Sequence, residues 1–411
     1  RYTKLGNGSF RPRPRRGGRA AARSVNRHPS SRNLHPGSRR HSNDGRYAYS
    51  ATEEIIINAE SLLTSLLKIY SPTDSEDEAV RYLVEQMTAA GLEAEIDPVG
   101  SAIGRIGSGE RHVLLLGHID TSPGEISVRK QGDLLFGRGA VDAKGPLAAF
   151  VAAAALGALP GLQITVIGAV HEEGDSVGAT HLRDHFPVPD HLIIGEPSGW
   201  DRVTLGYKGW VTYTLTAETG TAHSASDKAN ACEIVIAAWD ALTEWTQDFN
   251  ANRSRAFEQL TPTIRAMRSE GDGLRECAQL RVTLRLPEGV AVPEIHSKVR
   301  QLIAPDIKVE ALPAAVPAYR APKNTALVRA ALAAIRAENG TPRFVVKTGT
   351  SDMNMVAPAW DCPTIAYGAG DSSYDHTPDE HISLAEFQRS IVVLRAILER
   401  LSSSSEQPRQ N

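Results

Sequence analysis

Three short apolar runs constrain this 411-residue chain more than anything else in it. They are Val113–Leu116, Ile164–Val170 and Leu192–Ile194, each bounded by turn-forming residues. An alternating strand buries one face, whereas a continuously apolar strand needs both faces covered. Between the first two runs, Pro146 to Leu159 is mostly alanine and reads as a buried helix. Strand, helix, strand with such strands predicts an α/β fold, a layered sheet sandwiched by helices.

The flanking sequence extends this reading. Glu54 to Tyr70 carries Ile55, Ile56, Leu62, Leu63, Leu66 and Leu67 at helical spacing. A second helix opens at Asp74 or Ser75 and closes at Gly91. After Gly206 the style changes. Val211, Tyr213 and Leu215 alternate with threonines, and Leu280, Val282, Leu284 and Leu286 alternate with Arg281, Thr283 and Arg285, with a helix over roughly 229–246 between them. Alternation marks half-exposed strands. Residues 207–316 are therefore expected to form a smaller α+β domain, a sheet plus two helices, inserted into a discontinuous catalytic domain of residues 51–206 and 317–402. The exit is Pro-rich, at Pro313, Pro317 and Pro322. The α/β style then returns, with a helix near Thr325–Asn339, strands at Phe344–Lys347 and Thr364–Tyr367, and a last helix opened by a Ser383/Glu386 capping box. Residues 403–411 read as a polar tail.

Charge is uneven. Residues 1–50 hold thirteen Lys or Arg against Asp44 alone, leaving 32 bases against 47 acids beyond them, from totals of 45 and 48. That segment lacks an apolar period and is expected to be a disordered basic extension. No run of 18 apolar residues exists, so no membrane span is expected. Cys232, Cys277 and Cys362 lie far apart and form no metal-ligand pair, and a reducing cytoplasm fits.

Five motifs carry chemistry. Gly117-His118-Ile119-Asp120 follows the first apolar run, and Asp120, two residues on, can accept from the ring nitrogen of His118 that does not bind metal. Asp142 sits in a glycine-rich turn before the alanine-rich helix, where an acid is either a cap or a carboxylate bridging two cations. His171-Glu172-Glu173 ends the second run, and Glu196 follows the third, at the sheet end where open α/β sheets place ligands. His376 opens His376-Thr377-Pro378-Asp379-Glu380 before the last helix. One Asp, two His and two Glu are hard or borderline donors without a thiolate, a set that suits zinc, with cobalt or manganese as alternatives. Two adjacent glutamates suggest divided labour, one a ligand and one a base.

In this order the motifs resemble the dinuclear-zinc hydrolases related to acetylornithine deacetylase, succinyl-diaminopimelate desuccinylase and carboxypeptidase G, over residues 52–402. The resemblance implies a zinc-exopeptidase-like layered catalytic domain with an inserted lid or dimerisation domain. It implies that His118, Asp142 and Glu196 hold one metal, and Asp142, Glu173 and His376 the other. It also implies Glu172 as the general base, Asp120 as the partner of His118, His223 as an oxyanion donor often reaching across a homodimer, and Arg285 as a fork for the substrate's α-carboxylate. Such proteins usually carry Asp before the paired glutamates, where this chain has His171. Thr350 and Ser351 are candidates for hydrogen bonds to the substrate. A narrower resemblance, in Glu196-Pro197-Ser198-Gly199-Trp200-Asp201, Gly206-Tyr207-Lys208-Gly209 and Lys347 to Asn354, is to hydrolases that release lysine or ornithine from the amino-group carrier protein LysW in lysine and arginine biosynthesis. It implies an acidic carrier as partner, with Arg138, Lys144, Arg202, Lys208 and Lys347 as candidate contacts near the cleft and Lys208 among the substrate-binding residues. The alternatives are an N-acyl-amino-acid deacylase or dipeptidase, and a metal-bound dimerisation scaffold without turnover. Neither membrane nor nucleic acid is expected as a partner.

Overall fold

The computed structural model describes residues 58–404. The expected extension over residues 1–50 lies outside the described residues, as does most of the tail. The described chain runs through α1 (Ala59–Lys68), α2 (Asp77–Ala89), β1 (Glu93–Ile96), β2 (Ala102–Ile106), β3 (Arg111–His118), β4 (Arg129–Gln131), β5 (Leu134–Phe136), α3 (Lys144–Ala155), β6 (Leu162–Ala169), α4 (Val177–His185), β7 (His191–Ile194) and β8 (Arg202–Tyr207). It continues with β9 (Gly209–Gly220), α5 (Ala231–Asn250), β10 (Thr261–Gly271), β11 (Arg275–Leu286), α6 (Val292–Leu302) and β12 (Lys308–Val316). The last part holds β13 (Tyr319–Arg320), α7 (Ala326–Ala337), β14 (Arg343–Lys347), α8 (Asp352–Trp360), β15 (Thr364–Ala366), β16 (His381–Ser383) and α9 (Leu384–Ser402).

Among the described residues, nine strands form the large sheet, in the order β1-β2-β6-β3-β7-β15-β8-β13 with β14 also on β8. Its centre, β6-β3-β7-β15, is parallel. Each of the three apolar runs is a strand of this centre. Val113 and Leu115 face α1, α2, α3, α7 and α9, while Leu114 and Leu116 face α4 and α8. Successive side chains point to opposite faces, so covering both layers requires an unbroken apolar run. Helix α3 is buried along nearly its whole length, from Lys144 to Ala154. Its alanines let it lie between the sheet and α1 and α9.

A four-stranded antiparallel sheet, β10-β11-β9-β12, is built between residues 209 and 316. Val211, Leu215, Leu280, Val282 and Leu284 meet Val235 and Leu242 of α5 and Ile295 and Val299 of α6 on one face. The chain leaves for this sheet and returns from it at one place. Trp210 pairs with Val316. A Cβ on Gly209 would lie 2.2 Å from the Val316 carbonyl oxygen, so only glycine fits there. The Asn354 amide donates to the Pro317 carbonyl at 2.9 Å and faces the Tyr207 and Lys208 carbonyls at 3.4 Å.

Some local expectations change. The second helix begins at Asp77 rather than Asp74 or Ser75, with Asp74 in a left-handed backbone (φ 72°) ahead of it, and it closes at the expected glycine, Gly91 (φ 82°), two residues after Ala89. The Ser383/Glu386 box is half made. Ser383 Oγ accepts from the Glu386 N–H at 3.2 Å, but the Glu386 carboxylate turns to the Trp200 N–H at 3.1 Å. No disulfide links Cys232, Cys277 and Cys362 to one another. No helix of the described residues is long and apolar enough to cross a membrane.

Candidate metal centre

The site forms at the carboxyl ends of three adjacent parallel strands. His118 ends β3, His171-Glu172-Glu173 follows β6, and Glu196 follows β7. Asp142 lies on the turn into α3. It does not cap that helix, whose N-cap is Ala143. His376 arrives from the loop between β15 and β16. Ligand atoms of His118, Asp142 and Glu196 lie within 4.8 Å of one another, as do those of Asp142, Glu173 and His376. His118 Nε2 is 3.2 Å from Asp142 Oδ1 and 3.8 Å from Glu196 Oε1. His376 Nε2 is 3.0 Å from Asp142 Oδ2 and 2.7 Å from Glu173 Oε1. The two oxygens of Asp142 thus face two separate triads.

Asp120 sits beneath this pair of triads, fully buried. Its Oδ1 accepts from the Glu172 N–H at 3.1 Å, and its Oδ2 from the Glu173 N–H at 3.0 Å and the Thr73 hydroxyl at 2.9 Å. The expected bond from His118 is made differently. His118 Nδ1 meets the Asp120 carbonyl at 3.0 Å, and the carboxylate is farther, at 3.4 Å. With three donors already on its carboxylate, Asp120 orients the histidine through its main chain and both glutamates through its side chain. His171 and His376 carry left-handed backbones, φ 64° and 59°. Such conformations cost about 1–3 kcal/mol in a non-glycine residue and concentrate at functional sites.

Electrostatics bear on what fits here. Burial, then Glu196, Asp352 and Glu173, push the Glu172 carboxyl well above the usual carboxylate range, against the pull of His118. Burial and Asp142 do the same to Glu196. Burial drives Asp352 up to about 7 and Asp375 up to about 8. Burial opposes ionisation of Asp142 too, but hydrogen bonds from His118 and His376 hold its carboxyl well below the ordinary range. Those with Asp142 and Glu173 raise His376 to about 10. This crowd of carboxylates is short of positive charge. Each triad offers one imidazole and two carboxylates, the three-ligand set of a catalytic divalent ion that keeps a position open. The residues fit two such ions sharing Asp142.

The remaining candidates fall into two groups. Arg285 Nη1 donates to Thr350 Oγ1 at 2.9 Å, and Thr350 donates to the Lys208 carbonyl at 2.6 Å. The charge of Glu172 is felt at Arg285, so this pair borders the centre. Lys208 and Ser351 make their side-chain hydrogen bonds elsewhere. The Lys208 ammonium is buried against the Ala256 and Gln259 carbonyls and Thr261 Oγ1, so all three of its donors are occupied. Ser351 caps α8, accepting from the Met353 N–H. His223 lies on the exposed loop after β9, where Ala225 donates to its Nδ1. Among the described residues, no hydrogen bond or ion pair joins it to the metal-side residues.

Sequence reasoning passed over Glu380. It is fully buried, and its Oε1 accepts from the Val141 and Asp142 N–H groups at 3.0 and 3.2 Å. Its Oε2 pairs with Arg138 at 2.8 Å. Burial pushes its carboxyl up, yet an anion faced by three donors has no use for a proton. The residue stood inside a quoted motif, but nothing in that motif says which of its acids turns inward. A cavity of about 460 Å³ elsewhere, between β1–β2 and α4, shares no residue with this centre.

Residues 114–400 match the model of peptidase family M20/M25/M40. A Deinococcus radiodurans protein named [LysW]-lysine hydrolase is 40% identical over 355 residues, 84% of this chain and 97% of that one. A Thermococcus kodakarensis protein named putative [LysW]-lysine/[LysW]-ornithine hydrolase is also 40% identical, over 84% of this chain and 92% of its own. The M20 family metallo-carboxypeptidase Sso-CP2 of Sulfolobus solfataricus superposes with a TM-score of 0.69 at 16% identity, covering 84% of this chain and 99% of that one. The Saccharomyces cerevisiae dipeptidase Dug1p does so with a TM-score of 0.68 at 15% identity, over 85% and 96%. At such identities these two speak for the fold alone.

Proposed function

Because the chain belongs to peptidase family M20/M25/M40 and is a metal-dependent hydrolase, we propose that it cleaves the γ-glutamyl isopeptide joining L-lysine, or L-ornithine, to a LysW-type acidic carrier protein. This would be the last step of lysine biosynthesis via α-aminoadipate, or the ornithine-releasing step of arginine biosynthesis, carried out in the cytoplasm. The observation that carries the substrate is the 40% identity to a [LysW]-lysine hydrolase along 97% of that protein. The chemistry rests on the paired triads around Asp142.

His118, Asp142 and Glu196 would hold one ion and Asp142, Glu173 and His376 the other, with zinc the natural choice for this donor set and cobalt an alternative. When bound, such ions would act as Lewis acids, lowering the pKa of an attacking water toward about 7 and polarising the amide carbonyl. Glu172 takes the proton from that water and passes it to the leaving amine. Asp120 holds the backbone of Glu172 and Glu173, fixing base and ligand relative to each other. Arg285, braced by Thr350, forks onto the free α-carboxylate of the lysine. His223, on its exposed loop, serves as oxyanion donor to the site of a second subunit in a homodimer. Residues 207–316 act as the lid and dimerisation domain.

Purified enzyme loaded with divalent metal, offered carrier-linked lysine, carrier-linked ornithine, N-acetyl-lysine, N-acetyl-ornithine and dipeptides, tests this directly. Release of lysine from the conjugate, read by mass spectrometry, is expected. Turnover confined to the N-acetyl amino acids or dipeptides would move the assignment to a free-standing deacylase or dipeptidase.

A further inference from the structure

An acidic partner has to find basic groups, and those nearest the centre are occupied. Lys144 donates to the Leu66 and Ile69 carbonyls at 3.0 and 2.6 Å, and Arg138 to Glu380 and the Gly124 carbonyl. Lys208 is held by residues 256–261, Lys347 by Ser372, and Arg202 stands beside Asp201.

The four-stranded sheet offers something different. One of its faces is covered by α5 and α6. On the other, strand register sets the residues out in rows. Arg285 pairs with Thr261 and Trp210, Thr283 with Thr263 and Thr212, Arg281 with Ala266 and Thr214, Gln279 with Arg268 and Thr216. Arg265 is the extra residue of a bulge in β10, near enough to Arg285 for the two charges to repel. Arg265, Arg268 and Arg281 are exposed. None forms an ion pair among the described residues, and Arg268 bonds only the neutral Gln279. The arginines begin at Arg285, beside Thr350, and extend over rows about 7 Å apart, roughly 20 Å in all. Acids appear at the far end, where Glu270 and Glu218 flank Cys277, and on the opposite edge, where Glu310 is paired with Lys308 at 2.8 Å.

Clustered like charges on neighbouring strands destabilise a sheet. Here they lie on a chain whose residues beyond 50 carry 47 acids against 32 bases. An acidic protein would be repelled by most of that surface. Salt screens such fields within about 8–10 Å, so a local strip decides the approach. We infer that Arg265, Arg268 and Arg281 form the docking strip for an acidic carrier protein, guiding its modified terminus along the sheet to Arg285. This rests on the carrier reading above.

The test replaces all three arginines with glutamine in the full-length, metal-loaded enzyme, with a second variant carrying three lysines. For carrier-linked lysine, the glutamine variant is expected to raise KM by about tenfold or more with kcat nearly unchanged, and to flatten the dependence of kcat/KM on salt. The lysine variant should keep most of the wild-type KM, and N-acetyl-lysine hydrolysis, where measurable, should be the same in all three. An unchanged KM for the conjugate overturns the inference. So does a change in sedimentation state in the glutamine variant, which would make the strip a contact between copies of this chain. Titration of the unmodified carrier protein separates the two readings. If wild-type enzyme releases no lysine from the conjugate but binds the carrier, and the glutamine variant does not, the strip stands without the proposed reaction. If the wild type does not bind the carrier, the strip falls too.

Discussion

Replacing Glu380 with glutamine tests whether the Asp142 turn is held from below. The wild-type carboxylate accepts from Val141 and Asp142 with one oxygen and from Arg138 with the other. An amide of the same shape has one acceptor end and one donor end. If its oxygen faces the two N–H groups, its NH2 faces Arg138 at about the former 2.8 Å. Breaking a buried ion pair from one side costs about 3–5 kcal/mol, because the other charge stays buried. Turning the amide round instead strands two buried N–H groups, at about 1–3 kcal/mol each. The two arrangements are alternatives, so a loss of about 4 kcal/mol is expected, a large part of a typical stability of about 5–15 kcal/mol. Arg138→Met added to Glu380→Gln removes the stranded guanidinium while the amide oxygen still serves the turn. It should restore about 2 kcal/mol, less the bond Arg138 makes to the Gly124 carbonyl. Urea unfolding of the four corners of this cycle measures both numbers. Cobalt titration of the folded single variant should show affinity reduced about 10–100-fold, as for groups that orient metal ligands. A single variant within about 1 kcal/mol of wild type, or a double variant no more stable than the single, would refute the reasoning.

Two further outcomes are expected. Glu172→Gln should lose about 10²–10⁴ in turnover while metal content by mass spectrometry stays at the wild-type level, and retained turnover would remove Glu172 as the base. His112, pushed down to about 4 chiefly by burial and bonded to Thr165 at 2.9 Å, is held neutral by the fold. The unfolded chain takes up this proton near pH 6.5, so the contribution of His112 is complete above that value and is lost as pH falls toward 4, at no more than about 1.4 kcal/mol per pH unit. Wild type should lose stability relative to His112→Gln over that interval, and parallel stability–pH curves would contradict the assignment.

The parts of the molecule legible in the sequence are those where one physical demand dominates. The apolar runs within β3, β6 and β7 are buried on both faces, so they have no polar residue to confuse the pattern beyond Thr165. Their ends were legible for the same reason, since an acid or histidine directly after such a run has to lie at the sheet's edge. Strand β10 is nearly all exposed, and its sequence, Thr261 to Gly271, has no period to detect. It is a strand because β11 pairs with it. Helices α4 and α8, of 9 residues each, were too short to show a stripe. Lys208 was named from resemblance as a substrate contact, and nothing in its neighbours along the chain shows that turn carbonyls some 50 residues away take up its ammonium. Composition cannot show where a long side chain ends. Asp120 was placed in the right company, but which of its oxygens serves which donor depends on the turn carrying Glu172 and Glu173.

The crossing at Trp210 and Val316 has a consequence of its own. A path that departs and returns between paired neighbours is, in topological terms, a detachable loop, however much structure it carries. Its length and content can change without any strand of the large sheet being cut or re-ordered, because the two ends to be rejoined already touch. Among the described residues, few side-chain ties would be broken by such an exchange: Arg285 to Thr350, Lys208 to the turn at 256–261, and Arg320 to Glu288 and the Phe257 ring. The metal-side residues and the four-stranded sheet thereby lie on pieces of chain that can be revised separately, with Asn354 marking the seam.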